Sequence, residues 1–130
     1  MLAISQDKEM FLEGSLFNHF KKNKVEIANA ITKSYPFLES LRDHSMITEN
    51  TYKESLDACR NLVPVKRVVY HLLCHLEKTF DKSLLQVLFS RVHLKEYPDL
   101  AEVHRSFENV MGNQSSEEMK ISGVSNSAMF

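Results

Sequence analysis

Apolar residues recur three and four positions apart along most of the chain, the interval that gathers side chains onto one face of a helix. From Asp7 to about Lys22, Met10, Phe11, Leu12, Leu16, Phe17 and Phe20 make a face wide enough for a core. A second helix is expected from Asn23, whose side chain can cap it, with Glu26 three residues on as in a capping box. Ile27, Ala28 and Ile31 then follow at helical spacing. A short third helix opens at Pro36 and turns Phe37, Leu38 and Leu41 inward. Thr48 caps a fourth, in which Tyr52, Leu56 and Cys59 share a side. A fifth starts at Pro64. A sixth starts at Ser83 and carries Leu84, Leu85, Leu88 and Phe89. The last runs from Pro98 to about Val110, with Leu100, Val103, Phe107 and Val110 on its apolar stripe.

Glycine usage supports the same reading. The chain has three glycines, Gly14, Gly112 and Gly123, and none between the first two, whereas a β-rich domain needs glycines in its turns. Pro36, Pro64 and Pro98 fall between periodic segments, where proline suits the first turn of a helix. The expected fold class is therefore all-α, a compact helical bundle. After Gly112 the sequence becomes Ser-, Asn- and Gly-rich and reads as a disordered tail, with Met129 and Phe130 fraying rather than docking. The expected organisation is a flexible N-terminus over 1–6, one domain over 7–111 and a tail over 112–130. There is no internal repeat.

With 130 residues and 43% apolar residues, the chain can bury a core without disulfide staples. Its two cysteines, Cys59 and Cys74, suit a reducing compartment. No secretory signal pattern opens the sequence and no apolar run is long enough to span a bilayer, so a soluble, intracellular protein with no membrane partner is expected. A net charge of −1 supplies no general attraction to nucleic acid.

Candidate chemistry concentrates in "VVYHLLCHLEKTF", Val68 to Phe80. On a helical wheel Val65, Val68, Val69, Leu72, Leu73, Leu76 and Phe80 form the core face. Cys74 falls almost opposite its centre, with His71 beside it and His75 on the flank. These three can approach one ion, but a structural zinc site takes four ligands, and Cys59, His93 and His104 are poorly placed to complete it. No metal or other cofactor is expected. A Cys74 nucleophile would need a pocket, an oxyanion donor and an orienting group, and no glycine-rich turn stands near it. No nucleotide-binding or metalloprotease motif occurs. No catalytic residue and no small-molecule substrate are therefore assigned.

Lys21, Lys22 and Lys24 form the strongest basic cluster, to which Lys66 and Arg67 add if their helix ends are neighbours. Direct nucleic-acid or chromatin binding through this cluster is the alternative function, although a helix C-terminus commonly carries such lysines to complement its dipole. The segment "SLLQVLF" is apolar nearly all round, which places it either centrally in the bundle or against another chain.

The strings "FKKNKVEIANAITKSYPFLESLRDHSMIT", "CRNLVPVKRVVY", "LEKTF", "LFSRVHLKEYPDL" and "RSFENV" occur in this order. Together they resemble the HSR domain of the speckled-protein family of nuclear body proteins, over roughly Phe17 to Val110. The autoimmune regulator carries a more distant version. The resemblance implies a fold similar to the caspase-recruitment domains of the death-fold superfamily. It implies no enzymatic activity, but self-association and association with other HSR-domain proteins. It further implies a nuclear, nuclear-body location, with roles in transcription control and interferon-linked defence. Longer members add a SAND domain and often a PHD finger and bromodomain. None is present here, so a short product or an N-terminal piece is expected. Polar residues are usual in the family at the positions of His71, Cys74 and His75, which weighs further against metal or thiol chemistry. As interface residues we expect Tyr70 and Cys74, projecting off the core face of the fifth helix, and Val87 on the sixth, with the Lys21, Lys22 and Lys24 edge as a charged option.

Overall fold

A computed structural model describes the backbone of residues 2–114 and the side chains of residues 12–112. The described residues form eight helices and no strand: α1 (Leu2–Lys22), α2 (Lys24–Ala30), α3 (Phe37–Asp43), α4 (Glu49–Arg60), α5 (Val65–Glu77), α6 (Lys82–Leu88), α7 (Arg91–Glu96) and α8 (Leu100–Gln114). The all-α expectation holds. The helix boundaries at the chain ends move outward. α1 already runs from Leu2, not Asp7, and α8 continues through Gly112 to Gln114. Met10 and Phe11 lie outside the residues whose side chains are described, and 115–130, with Met129 and Phe130, lie outside the described residues altogether.

Most of the apolar phases read from the sequence are the ones that pack. Leu16 and Phe20 of α1, Ile27 and Ala28 of α2 with Ile31 after it, and Phe37, Leu38 and Leu41 of α3 are buried. So are Val68, Val69, Leu72, Leu73 and Leu76 of α5, and Leu100 and Phe107 of α8. Each such leucine or phenylalanine contributes about 1.5–3 kcal/mol relative to an exposed side chain. Among the described residues α5 contributes the largest set of buried side chains of any helix. It packs most extensively on α2 and also meets α1 and α4, while α8 lies along α1.

Local capping explains where several helices begin. Thr48 accepts from the Thr51 N–H at 3.0 Å and opens α4, as its position suggests. Asp81 accepts from the Ser83 N–H at 2.8 Å, so α6 is capped two residues before Ser83. Asn23 does not cap α2. Its Nδ2 donates instead to the His19 carbonyl at 2.7 Å, closing the C-terminal end of α1. The helix absent from the sequence reading is α7, six residues long, whose cap Ser90 accepts from the His93 N–H at 3.4 Å. Its window is too short for periodicity to register, yet it delivers His93 and the following Tyr97 into the core, both with no exposed surface.

Those two side chains tie distant segments together. His93 Nδ1 lies 3.1 Å from the Leu88 carbonyl, which can only accept, so Nδ1 carries a proton. Its Nε2 lies 3.1 Å from the Ser40 hydroxyl of α3. The Tyr97 hydroxyl donates to the Lys33 carbonyl at 2.9 Å and accepts from the Phe37 N–H at 3.1 Å. The second of these satisfies a first-turn amide of α3 that no intrahelical carbonyl can reach.

Candidate functional site

The outward side of α5 and the adjacent side of α2 build the site. Lys24, at the start of α2, donates to the Glu77 carboxylate near the end of α5. Ala28 and Asn29, near the end of α2, share a groove with Lys66 and Arg67 at the start of α5. The two helices therefore run antiparallel. The separation places Lys66 and Arg67 at the opposite end of α2 from the Lys21–Lys24 cluster, so the basic residues do not merge into one patch.

Lys24 organises one end. Its ammonium lies 3.6 Å from Cys74 Sγ and 5.6 Å from the centre of the Tyr70 ring. The hydrogen bond to Glu77 raises its pKa above the ordinary lysine value against the opposing effect of burial. Only 15% of the Lys24 side chain and 24% of that of Glu77 remain exposed. The lysine is thus committed to an intramolecular ion pair. Lys21 and Lys22 are exposed on the last turn of α1, and Lys21 Nζ stands 5.5 Å over the Phe17 ring. Lys22 adds to burial in pushing the pKa of His19 below its ordinary value.

The other end is a groove of about 430 Å³ lined by Val25, Ala28, Asn29, Lys66, Arg67, Tyr70 and His71. Val25 leaves 57% of its surface to solvent and the groove contains no carboxylate. Its floor is apolar and its rim is cationic. Tyr70 forms a wall of this groove, and half-buried Cys74 lies beneath Lys24, so the structure gathers Tyr70, Cys74 and Lys24 on one face. Val87 belongs elsewhere. It is 8% exposed and part of the core, so this interface expectation on the sixth helix does not share the face of Tyr70 and Cys74. The apolar run of α6 is explained in the same way: Leu84, Val87 and Leu88 are buried. Leu85 and Phe89 line a smaller groove of about 230 Å³ with Leu16, Phe107 and Met111.

The metal-ligand types separate. His71 lines the α2–α5 groove, whereas His75 opens into a different depression beside His44 and Asp81. Among the described residues no three His, Cys, Asp or Glu side chains converge. Cys59 is half-buried, and burial raises its thiol pKa, which disfavours the reactive thiolate. No helix among the described residues is long and apolar enough to cross a membrane.

One surface residue of note escaped the sequence reading. Leu62, in the α4–α5 turn, is 88% exposed and has φ 71°. The signal was present as a leucine directly after Asn61 at the end of α4, a position that favours glycine.

Comparison with known proteins bears on the whole of this architecture. The Sp110 nuclear body protein of Rattus norvegicus is 57% identical over 99 residues, covering 76% of this chain and 21% of that protein. The nuclear autoantigen Sp-100 of Mus musculus is 49% identical over 114 residues, covering 88% of this chain and 24% of the relative. A protein named interferon-induced protein 75, from Mus caroli, is 58% identical over 99 residues, 76% of this chain and 22% of its own length. The chain thus spans between a fifth and a quarter of the length of these relatives. No solved structure matches it. The family model described as HSR domain matches residues 12–110, from the middle of α1 to near the end of α8, and the chain belongs to that family.

Proposed function

We propose that this HSR domain is a non-enzymatic self-association module of a nuclear body protein. The observation that carries the reading is the α2–α5 face, where an apolar floor with Val25 and Tyr70 stays open to solvent beside a core that is closed elsewhere on α5. An open apolar groove of this kind suits a protein partner. The partners in this reading are further copies of the chain and other HSR-domain proteins. The names of the relatives, two of them nuclear and one interferon-induced, support a nuclear-body location and a link to interferon; a role in transcription control completes the proposal. The helical composition is compatible with a caspase-recruitment-like fold, which remains part of the proposal.

Light scattering across a concentration series tests the reading. A mass that rises with concentration is expected, and a monomer mass at every concentration would overturn it. Direct DNA binding is less favoured, because Lys24 is held by Glu77 and Lys66 and Arg67 stand apart from Lys21 and Lys22. A salt-dependent shift of duplex DNA, lost on Lys21→Ala/Lys22→Ala, would restore that alternative.

A further inference from the structure

The α2–α5 groove joins an open apolar floor to two cations that the domain does not neutralise. Lys24, Lys33, Arg42 and Arg60 each have a carboxylate within 4.0 Å. Among the described residues no carboxylate comes that close to Lys66 or Arg67, and both are exposed. The helices keep acidic side chains out of the groove. Val25, Ala28 and Asn29 stand three and four positions apart and share the groove side of α2. Glu26 lies about 100° round from Val25, off that side. The only carboxylate on α5 is that of Glu77, at the far end of the helix and held by Lys24.

Size and chemistry limit what can sit here. The lining residues cover about one turn of each helix, about 6–8 Å of rise. The groove encloses about 430 Å³, near the lower end of the range for ligand clefts, about 300–1,000 Å³. That is room for apolar side chains from a short segment, whereas a folded domain would pack on the wider face around it. Val25, Ala28 and the Tyr70 ring offer apolar contact. Lys66 and Arg67 carry hydrogen-bond donors and no acceptor, and the Tyr70 hydroxyl adds a third donor. Carboxylates accept only, so Asp and Glu match this rim and basic side chains are repelled by it. A nucleic-acid strand needs several phosphates met in succession, and two cations beside aliphatic Val25 and Ala28 supply no such track.

We propose that the α2–α5 groove docks a short acidic segment of a partner protein, in which apolar side chains are flanked by Asp or Glu. The apolar side chains seat on Val25, Ala28 and the Tyr70 ring, and the flanking carboxylates accept from Lys66 and Arg67. The inference goes beyond the self-association reading, because the partner is a segment of a different protein and not a second domain.

Fluorescence anisotropy with a labelled peptide of leucines flanked by glutamates tests this. Two control peptides carry glutamine for glutamate or serine for leucine. The glutamate–leucine peptide is expected to bind at least tenfold more tightly than either control, and less tightly as salt is raised. Lys66→Glu/Arg67→Glu and, separately, Val25→Asp are each expected to weaken it at least tenfold. Lys82→Glu, the same reversal at the smaller groove beside α6 and α8, is expected to leave binding unchanged. All four positions are exposed, so each variant should keep the wild-type melting temperature. No binding by wild type, equal binding of the three peptides, or equal weakening by Lys82→Glu would overturn the proposal. So would duplex DNA that binds more tightly than the peptide and is released by the Lys66 and Arg67 reversals, which would reassign the rim to nucleic acid. Sedimentation velocity of the wild type without peptide tests self-association by itself, so either reading can fail alone.

Discussion

Removing the Tyr97 hydroxyl is the sharpest probe of how this fold is held. Tyr97→Phe keeps the ring and deletes one oxygen that has no access to solvent. Two backbone partners lose their bond, the Phe37 N–H at 3.1 Å and the Lys33 carbonyl at 2.9 Å. A hydrogen bond between neutral groups contributes about 1 kcal/mol net, and a buried group left without a partner costs about 1–3 kcal/mol. The Phe37 amide is enclosed, while the Lys33 side is partly open to water, so the loss should be about 2–3 kcal/mol, at the lower part of the summed range. For a domain of this size that corresponds to a melting temperature lower by roughly 8–20 °C. Tyr35→Phe removes the same atom from a ring that is 67% exposed and should change stability by less than about 0.5 kcal/mol. Urea unfolding followed by circular dichroism, with both variants beside wild type, measures the difference. Equal midpoints for the two variants would refute the reasoning. The pH dependence gives a second check. Burial pushes the Tyr97 phenol well above its ordinary value, against the weaker effect of the Phe37 amide. The unfolded chain therefore releases this proton first. The contribution is complete below about pH 10 and declines as pH rises above it towards the folded-state value. Wild type should lose stability above that pH faster than Tyr97→Phe, and parallel profiles would contradict the assignment.

Three further outcomes are expected. His93→Leu strands the Leu88 carbonyl and the Ser40 hydroxyl and should cost about 2–4 kcal/mol in the same urea assay, with Ser40→Ala costing about 1 kcal/mol. A double-mutant cycle of Lys24→Met and Glu77→Gln should give a coupling of about 1 kcal/mol, as befits a pair with most of its surface covered; additive effects would mean the ion pair is not formed in solution. Cys59 should react with a disulfide reagent several-fold more slowly than an unstructured peptide thiol near neutral pH, because burial both shields it and holds it protonated; equal rates would count against its placement.

How far the fold could be read in advance follows from the range of each interaction. Helices long enough for several turns declared their inward faces through spacing alone, which is why Leu72, Leu73 and Leu76 were assignable and are buried. α7 spans barely more than one turn, and its identity lies in a Ser90 cap and a buried histidine, residue types that usually sit at surfaces. Asn23 was misassigned because one amide side chain serves equally well at the end of one helix or the start of the next, and the choice went to the His19 carbonyl. Val87 was named for an interface because "SLLQVLF" reads as apolar nearly all round, whereas Lys82, Ser83 and Gln86 form the exposed side of α6 and Val87 lies on the buried one. For the site, spacing put Tyr70 and Cys74 off the centre of the core face, and both are half-buried, but their meeting with Lys24 was not legible. That meeting depends on α2 lying antiparallel on α5, and the Lys24–Glu77 and Phe37–Tyr97 pairs, 53 and 60 residues apart, leave no local trace.

The division of α5 into two sides has an evolutionary consequence. Leu72, Leu73 and Leu76 answer to the packing of the whole domain, so replacing any of them taxes every helix they touch. Tyr70, His71 and Cys74 are interleaved with them in sequence but have part or all of their surface outside the core. Substitutions at exposed His71 alter chiefly what the face presents, while those at half-buried Tyr70 and Cys74 also touch the edge of the core and the Lys24 contact. A lineage can therefore rewrite the vocabulary of this helix one outward letter at a time while its inward letters stay fixed. Chains that share this scaffold can in this way differ in the face they present without losing the fold.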